Sequence, residues 1–297
     1  MNPHAPLAGV FVPLITPFTT EGHVALDALE ALAHRALDDG ATGLVALGTT
    51  AEVATLDSDE KTQVLDVCAR VCRAREAPLV IGAGSNDTRA TAAALAGLDR
   101  WPEAVAALVP VPYFTRPSER GVIAHFAELA KATPVPLIAY HIPYRTAQAL
   151  SAAALRALGR LPGVCAVKYS PGVIDPEVVE LFCELPPGFA VLVGDDVLLS
   201  PLLALGATGG ILASAHLATG RFVELVEAWR LGDVARARAL GARLARLSAA
   251  AFAQPNPTVI KGVLHQKGLI PTANVRLPLL AAEPPHVEAA VKRLEAL

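Results

Sequence analysis

Three stretches decide how this chain folds: Ala106-Ala107-Leu108-Val109-Pro110, Leu137-Ile138-Ala139-Tyr140 and Val191-Leu192-Val193-Gly194. Each is apolar without alternation. That is the pattern of a strand covered on both faces, and so of a parallel sheet lined by helices. Working outward, similar runs recur at Val10 to Ile15, Gly43 to Leu47, Leu79 to Ile81, Val105 to Val109, Leu137 to Tyr140, Cys165 to Val167, Ala190 to Val193 and Gly210 to Ala213. Between most of them lie Ala/Leu-rich stretches whose apolar residues recur at three and four, such as Leu26, Leu29, Leu32, Ala33, Ala36 and Leu37 before Gly40. A repeated strand-then-helix order closes into a (β/α) barrel or opens into a doubly wound sheet. Gly82-Ala83-Gly84 lacks the third glycine and the early position of a dinucleotide fingerprint, which favours the closed barrel. The expected fold is therefore α/β, a (β/α)8 TIM barrel over residues 1–220. Further helices at Arg221 to Leu231, Asp233 to Phe252 and Thr258 to Lys267 make 221–297 a helical appendage packed on the barrel as one structural unit.

The length of 297 residues suits one such barrel. With 53% hydrophobic and 18% charged residues the chain has apolar surface for a large core, which disfavours disorder. A net charge of −3 without any basic block lacks the electrostatic footprint of a nucleic-acid or anionic-membrane binder, so neither partner is expected. Val197 to Gly220 carries no formal charge and is long enough to span a bilayer. Pro201, Gly206, Gly209, Gly210 and His216 interrupt it, and it reads better as a short helix (Pro201 to Leu205), a turn and a strand. Met1 to Leu7 has no basic segment ahead of an apolar run, so a cytoplasmic location is expected. Cys68, Cys72, Cys165 and Cys183 form neither a disulfide framework nor a metal-spaced set.

In such barrels chemistry sits at the carboxyl ends of the strands. The residues there are Thr16 and Pro17, Gly48-Thr49-Thr50, Gly84-Ser85-Asn86, Tyr113 and Phe114, Tyr140 and Arg145, Lys168, Gly194-Asp195-Asp196, and Ser214. Only six of the 25 basic residues are lysines, and Lys168 alone ends a strand-like run, Val164 to Val167. Desolvation there would lower its pKa and expose a nucleophilic amine; the plain alternative is a lysine reaching out to solvent. Tyr140 reads as a proton relay or as a core tyrosine with its hydroxyl satisfied. Gly48-Thr49-Thr50 reads as a turn that grips a carboxylate or as a capping turn. Lys261, also among apolar neighbours, falls in the appendage and reads as structural.

Thr16-Pro17-Phe18, Gly48-Thr49-Thr50-Ala51-Glu52, Tyr140-His141-Ile142-Pro143-Tyr144-Arg145-Thr146 and Val167-Lys168, followed by Gly194-Asp195-Asp196 and Asn256-Pro257, resemble the dihydrodipicolinate synthase and N-acetylneuraminate lyase family. The motifs occur in the family's order across nearly the whole chain. The resemblance implies a class I pyruvate-dependent aldolase or synthase, a homotetramer or homodimer, with no metal or organic cofactor. By the same resemblance Lys168 would form the imine with pyruvate and Tyr140 would shuttle protons. Thr49 would link the tyrosine to the relay and, with Thr50, hold the pyruvate carboxylate, while main chain near Ile211 lines the pocket.

Arg145 followed by Thr146 resembles the synthase branch, in which the arginine receives the carboxylate of aspartate semialdehyde. Condensation of pyruvate with that aldehyde is the first reading. Phe114 stands where synthases have a tyrosine donated across a subunit interface, Ala51 where a glycine is usual, and Tyr144 where a smaller residue is usual. His141 and Tyr169 replace residues that are commonly Asn and an acid. An aldolase or dehydratase of a 2-keto-3-deoxy sugar acid or 4-hydroxy-2-oxoacid is the alternative, and a non-catalytic keto-acid-binding barrel is the third. Ser58, Lys61 and Ala90 stand where lysine-inhibited members place histidines and an acid, so lysine inhibition is not expected.

Overall fold

The computed structural model describes residues 7–297, so Met1 to Pro6, part of the N-terminal segment read above, lie outside it. Eight parallel strands close a barrel in chain order: β1 (Gly9–Pro13), β2 (Gly43–Ala46), β3 (Leu79–Gly82), β4 (Ala104–Pro110), β5 (Leu137–His141), β6 (Val164–Tyr169), β7 (Ala190–Val193) and β8 (Gly209–Ile211). β8 pairs with β1 through Gly9↔Gly209 and Phe11↔Ile211, so no strand edge is left open. The doubly wound alternative is thereby excluded. Each apolar run of the sequence contains or overlaps one strand.

The helices between strands are α1 (Leu26–Asp38), α2 (Ser58–Ala74), α3 (Thr88–Ala96), α4 (Glu119–Ala132), α5 (Pro143–Thr146), α6 (Ala152–Gly159), α7 (Pro176–Cys183) and α8 (Leu199–Leu205). Their starts are set by local chemistry. Asp57 accepts from the amides of Asp59 and Glu60 while Glu60 reaches back to the Asp57 amide, a capping box that fixes the entry to α2. Alternation along each strand divides the core in two. Phe11, Val45, Val80, Leu108, Ile138, Ala166, Leu192 and Ile211 fill the barrel interior, and their strand neighbours pack outward against the helices.

After β8 come α9 (Ala215–Arg230), α10 (Val234–Ala251), α11 (Thr258–Gln266) and α12 (Pro284–Glu295). The division drawn from the sequence at 220/221 falls inside α9, which is kinked at Ala218 and packs on β1. Its first turns were hidden in the uncharged stretch that ends at Gly220. α12 was not expected. It opens on Pro284 and Pro285, residues suited to the first helical turn, and packs on α10 and α11. The Val197 to Gly220 stretch is a short helix, a strand and the start of α9. No helix among the described residues is long and apolar enough to cross a membrane.

Candidate active site

Lys168 points into the barrel because Ala166, two residues earlier, does so, and it is 5% exposed. Tyr140 is its register partner on β5, and the Lys168 Nζ lies 4.2 Å from the Tyr140 ring centroid. Gly194, just beyond β7, leaves room for the lysine stem: a Cβ there would come within 2.9 Å of Lys168 Cε. Burial lowers the Lys168 pKa to about 8, opposed by the carboxylates of Asp196 and Asp195 and reinforced by Arg145. At pH 7 roughly a tenth of such an amine is unprotonated, against well under ~0.1% at the ordinary value.

The sequence-predicted residues Thr49, Thr50, Tyr140, Arg145, Lys168 and Ile211 line one pocket at the carboxyl end of the barrel. Thr49 and Thr50 enter it from a 3-10 turn that follows β2 (Thr49–Ala51). Burial pushes the Tyr140 phenol up, as does the nearby Tyr144, while Arg145 and a hydrogen bond with Thr49 oppose the shift. The phenol therefore stays protonated and available as a donor. Arg145 sits on α5 at the solvent-facing mouth, its guanidinium 5.5 Å from the Tyr144 ring centroid.

Among the other lining residues, Asp196, Phe252 and Asn256 had no role assigned from the sequence, and Tyr144 had been noted only as larger than the usual residue. Asp196 is buried, its Oδ2 accepts from the Ser214 amide at 2.6 Å, and its Oδ1 has no partner among the described residues. Burial raises its pKa to about 6. Asn256 donates to the Thr50 hydroxyl at 3.0 Å. Tyr144, Arg145, Asp195, Asp196, Phe252 and Asn256 also line an outer cleft of about 590 Å³ that continues from the pocket to solvent. Phe114 lines none of this: it is 88% exposed, with a left-handed φ of 65°. Tyr113, beside it, lines a second cavity that shares Thr49, Tyr140, Arg145 and Asn256 with the pocket.

Lys261 supplies the contrast. It is fully buried, and burial lowers its pKa to about 8 as well. Its Nζ, however, donates to Glu52 Oε1 at 2.5 Å and to the Asn274 carbonyl at 2.7 Å, whereas Lys168 enters no salt bridge among the described residues.

The family model described as Dihydrodipicolinate synthetase family matches residues 6–297. The chain belongs to the dihydrodipicolinate synthetase family. Among curated relatives of this family, the 4-hydroxy-tetrahydrodipicolinate synthase of Thermosynechococcus vestitus is 37% identical over 294 residues, covering 97% of this chain and 95% of its own. Among solved structures, the chloride-inhibited dihydrodipicolinate synthase of Acinetobacter baumannii complexed with pyruvate superposes with a TM-score of 0.92 at 32% identity, covering 98% of this chain and 99% of that one. The dihydrodipicolinate synthase of Cyanidioschyzon merolae with lysine bound superposes with a TM-score of 0.91 at 28% identity, covering 97% of each chain.

Proposed function

We propose that the protein condenses pyruvate with aspartate semialdehyde through an imine on Lys168, the reaction of a 4-hydroxy-tetrahydrodipicolinate synthase. The observation that carries this reading is the buried lysine of lowered pKa, in no salt bridge among the described residues, sharing one pocket with a protonated phenol, two hydroxyls and a guanidinium.

The Lys168 amine adds to the ketone carbon of pyruvate, and the carbinolamine loses water to give a protonated imine. That nitrogen is an electron sink. A methyl proton leaves, its bonding pair forms the enamine, and the enamine carbon attacks the aldehyde carbon while the aldehyde oxygen takes a proton. Attack of the product's own amine on the imine carbon closes a ring and returns the Lys168 amine. Tyr140, with Thr49 beside it in the pocket, carries protons in these steps. The Thr49 and Thr50 hydroxyls hold the pyruvate carboxylate, main chain near Ile211 forms the facing wall, and Arg145 receives the carboxylate of the aldehyde substrate at the mouth.

Association into homodimers or homotetramers is part of the proposal, supported by the outward Phe114 (88% exposed) and its neighbour Tyr113 (42% exposed). Sedimentation of the purified protein tests it. Free Cys68, Cys72, Cys165 and Cys183 support a reducing compartment, the cytoplasm. The function itself is tested by assaying pyruvate with aspartate semialdehyde beside a panel of sugar-derived keto acids. Turnover of the aldehyde pair supports the proposal, and turnover confined to the keto acids overturns it.

A further inference from the structure

The turn that carries Thr49 and Thr50 is held at three consecutive residues, Thr50 to Glu52, and their ties lead to distant parts of the chain. The Thr50 hydroxyl accepts from Asn256 Nδ2 at 3.0 Å, just ahead of α11. The Ala51 carbonyl accepts from the Thr16 hydroxyl at 2.7 Å, beyond β1. Glu52 is tied most heavily: its Oε1 accepts from Lys261 Nζ on α11 at 2.5 Å, and its Oε2 accepts from the Arg276 amide at 2.9 Å.

Glu52 also has a left-handed backbone, φ 56° and ψ 34°, and Leu47 before the turn has φ 55°. Non-glycine residues hold such angles only where their surroundings over-determine them, and such positions cluster at functional sites. The surroundings here are ionic and dry. Lys261 lies 4.1 Å and the Arg276 guanidinium 4.5 Å from the Phe18 ring centroid, and the same guanidinium is paired with Glu60 and donates to the Gly22 and Thr55 carbonyls. The side chains of Lys261 and Glu52 are 0% and 1% exposed.

Stability does not account for such a pair, because removing two charges from water costs about as much as their attraction returns. What a buried pair offers over apolar packing is direction: a carboxylate held by a donor on α11 and by the Arg276 amide has one position. We infer that Glu52 and Lys261 are positioning residues which, through the buried ion pair, set the Thr49–Thr50 hydroxyls at the distance a bound carboxylate needs, making the helical appendage a working part of the pocket. This inference rests on the reading of Thr49 and Thr50 as the pyruvate-carboxylate site. It gives Thr16, Phe18, Glu52 and Asn256 a shared purpose that the chemistry at Lys168 leaves unexplained.

The test is the half-saturating pyruvate concentration for borohydride trapping at Lys168, measured with thermal midpoints in the wild type, Glu52→Gln, Lys261→Met and the double variant. Each single variant leaves one buried partner uncompensated and lowers the midpoint; the double variant removes both charges and regains most of it. The expected result is a half-saturation raised roughly 10- to 100-fold that stays raised in the double variant, since a misplaced turn is not repaired by restored stability. A half-saturation that returns to the wild-type value together with the midpoint means the pair is structural only and overturns the inference. Absence of trapping in the wild type overturns the underlying reading, and the inference with it. If the double variant does not fold, Glu52→Asp carries the test: it keeps the charge and withdraws the carboxylate by one methylene. A raised half-saturation with an unchanged pH profile for imine formation supports the inference, and an unchanged half-saturation overturns it.

Discussion

Tyr140 and Lys168 face each other as register partners on adjacent parallel strands, with the Lys168 Nζ 4.2 Å from the Tyr140 ring centroid. The phenol and the amine thus enter the barrel mouth from the same level. One change on each of two neighbouring strands separates imine formation from proton transfer.

Reduction with borohydride in the presence of pyruvate is expected to label Lys168 and leave Lys261 unlabelled, although burial lowers both pKa values to about 8. Hydrogen bonds decide the difference, since the Lys261 Nζ is committed to Glu52 and Asn274. Mass spectrometry of the digested adduct checks this. Label on the Lys261 peptide would show that the wrong lysine has been assigned to the chemistry.

Tyr140→Phe is expected to cut turnover by roughly 10²- to 10⁴-fold, the usual contribution of a positioned proton carrier, while trapping at Lys168 persists. Steady-state rates measured beside trapping yields separate the two steps. Near-normal turnover in the phenylalanine variant would remove the phenol from the mechanism.

The amine attacks only as the free base, so kcat/KM for pyruvate should rise with pH and level off above about 8. The Asp196 carboxylate holds this pKa up against burial. Asp196→Asn removes that negative charge, which moves the inflection to lower pH. A pH profile of the variant that moves the other way, or not at all, contradicts the assignment.

Acid stability follows from His141 and His216, both buried and both lowered from 6.5 to about 4 by desolvation. His216 Nε2 accepts from the Ile15 amide at 3.2 Å while Nδ1 faces the Ala213 carbonyl, an arrangement that needs the neutral ring. Between the two pKa values the unfolded chain binds more protons than the folded one, so stability falls as pH drops from about 6.5 towards 4. The loss is on the order of 3 kcal/mol for each ring across that window. Denaturant titrations at stepped pH measure it, and His216→Gln should flatten the slope by about half.

Lysine at millimolar concentration is expected to leave the rate almost unchanged. Where the resemblance to lysine-inhibited members would place the inhibitor's ammonium, Ser58 and Lys61 lie on the first turn of α2 and an exposed Ala90 lies on α3. A cationic ligand would meet another ammonium and find no carboxylate at Ala90. Steady-state assays across a lysine titration test this, and strong inhibition accompanied by saturable calorimetric binding contradicts it.

The strands were legible because a parallel barrel buries both faces of each, leaving runs such as Val164 to Val167 with no polar interruption but the lysine that ends them. The pocket residues were legible as residues at strand ends, and the roles proposed for them come from the family motifs. Glu52 and Asn256 lay within quoted motifs, yet nothing local predicts their partners: Lys261 stands 209 residues from Glu52, and Asn256 stands 206 residues from Thr50. Pairings over such separations depend on how α11 docks, which periodicity does not encode. The acceptor at Asp196 was hidden for a similar reason, since its donor, the Ser214 amide, belongs to the next strand-end loop.

The ties between residues 49–52 and the last sixth of the chain also bear on how the protein is made. Translation delivers all eight strands, Lys168 and Tyr140 before Lys261 or Arg276 exists. Synthesis therefore supplies Lys168 and Tyr140 first and the two groups that hold Glu52 last.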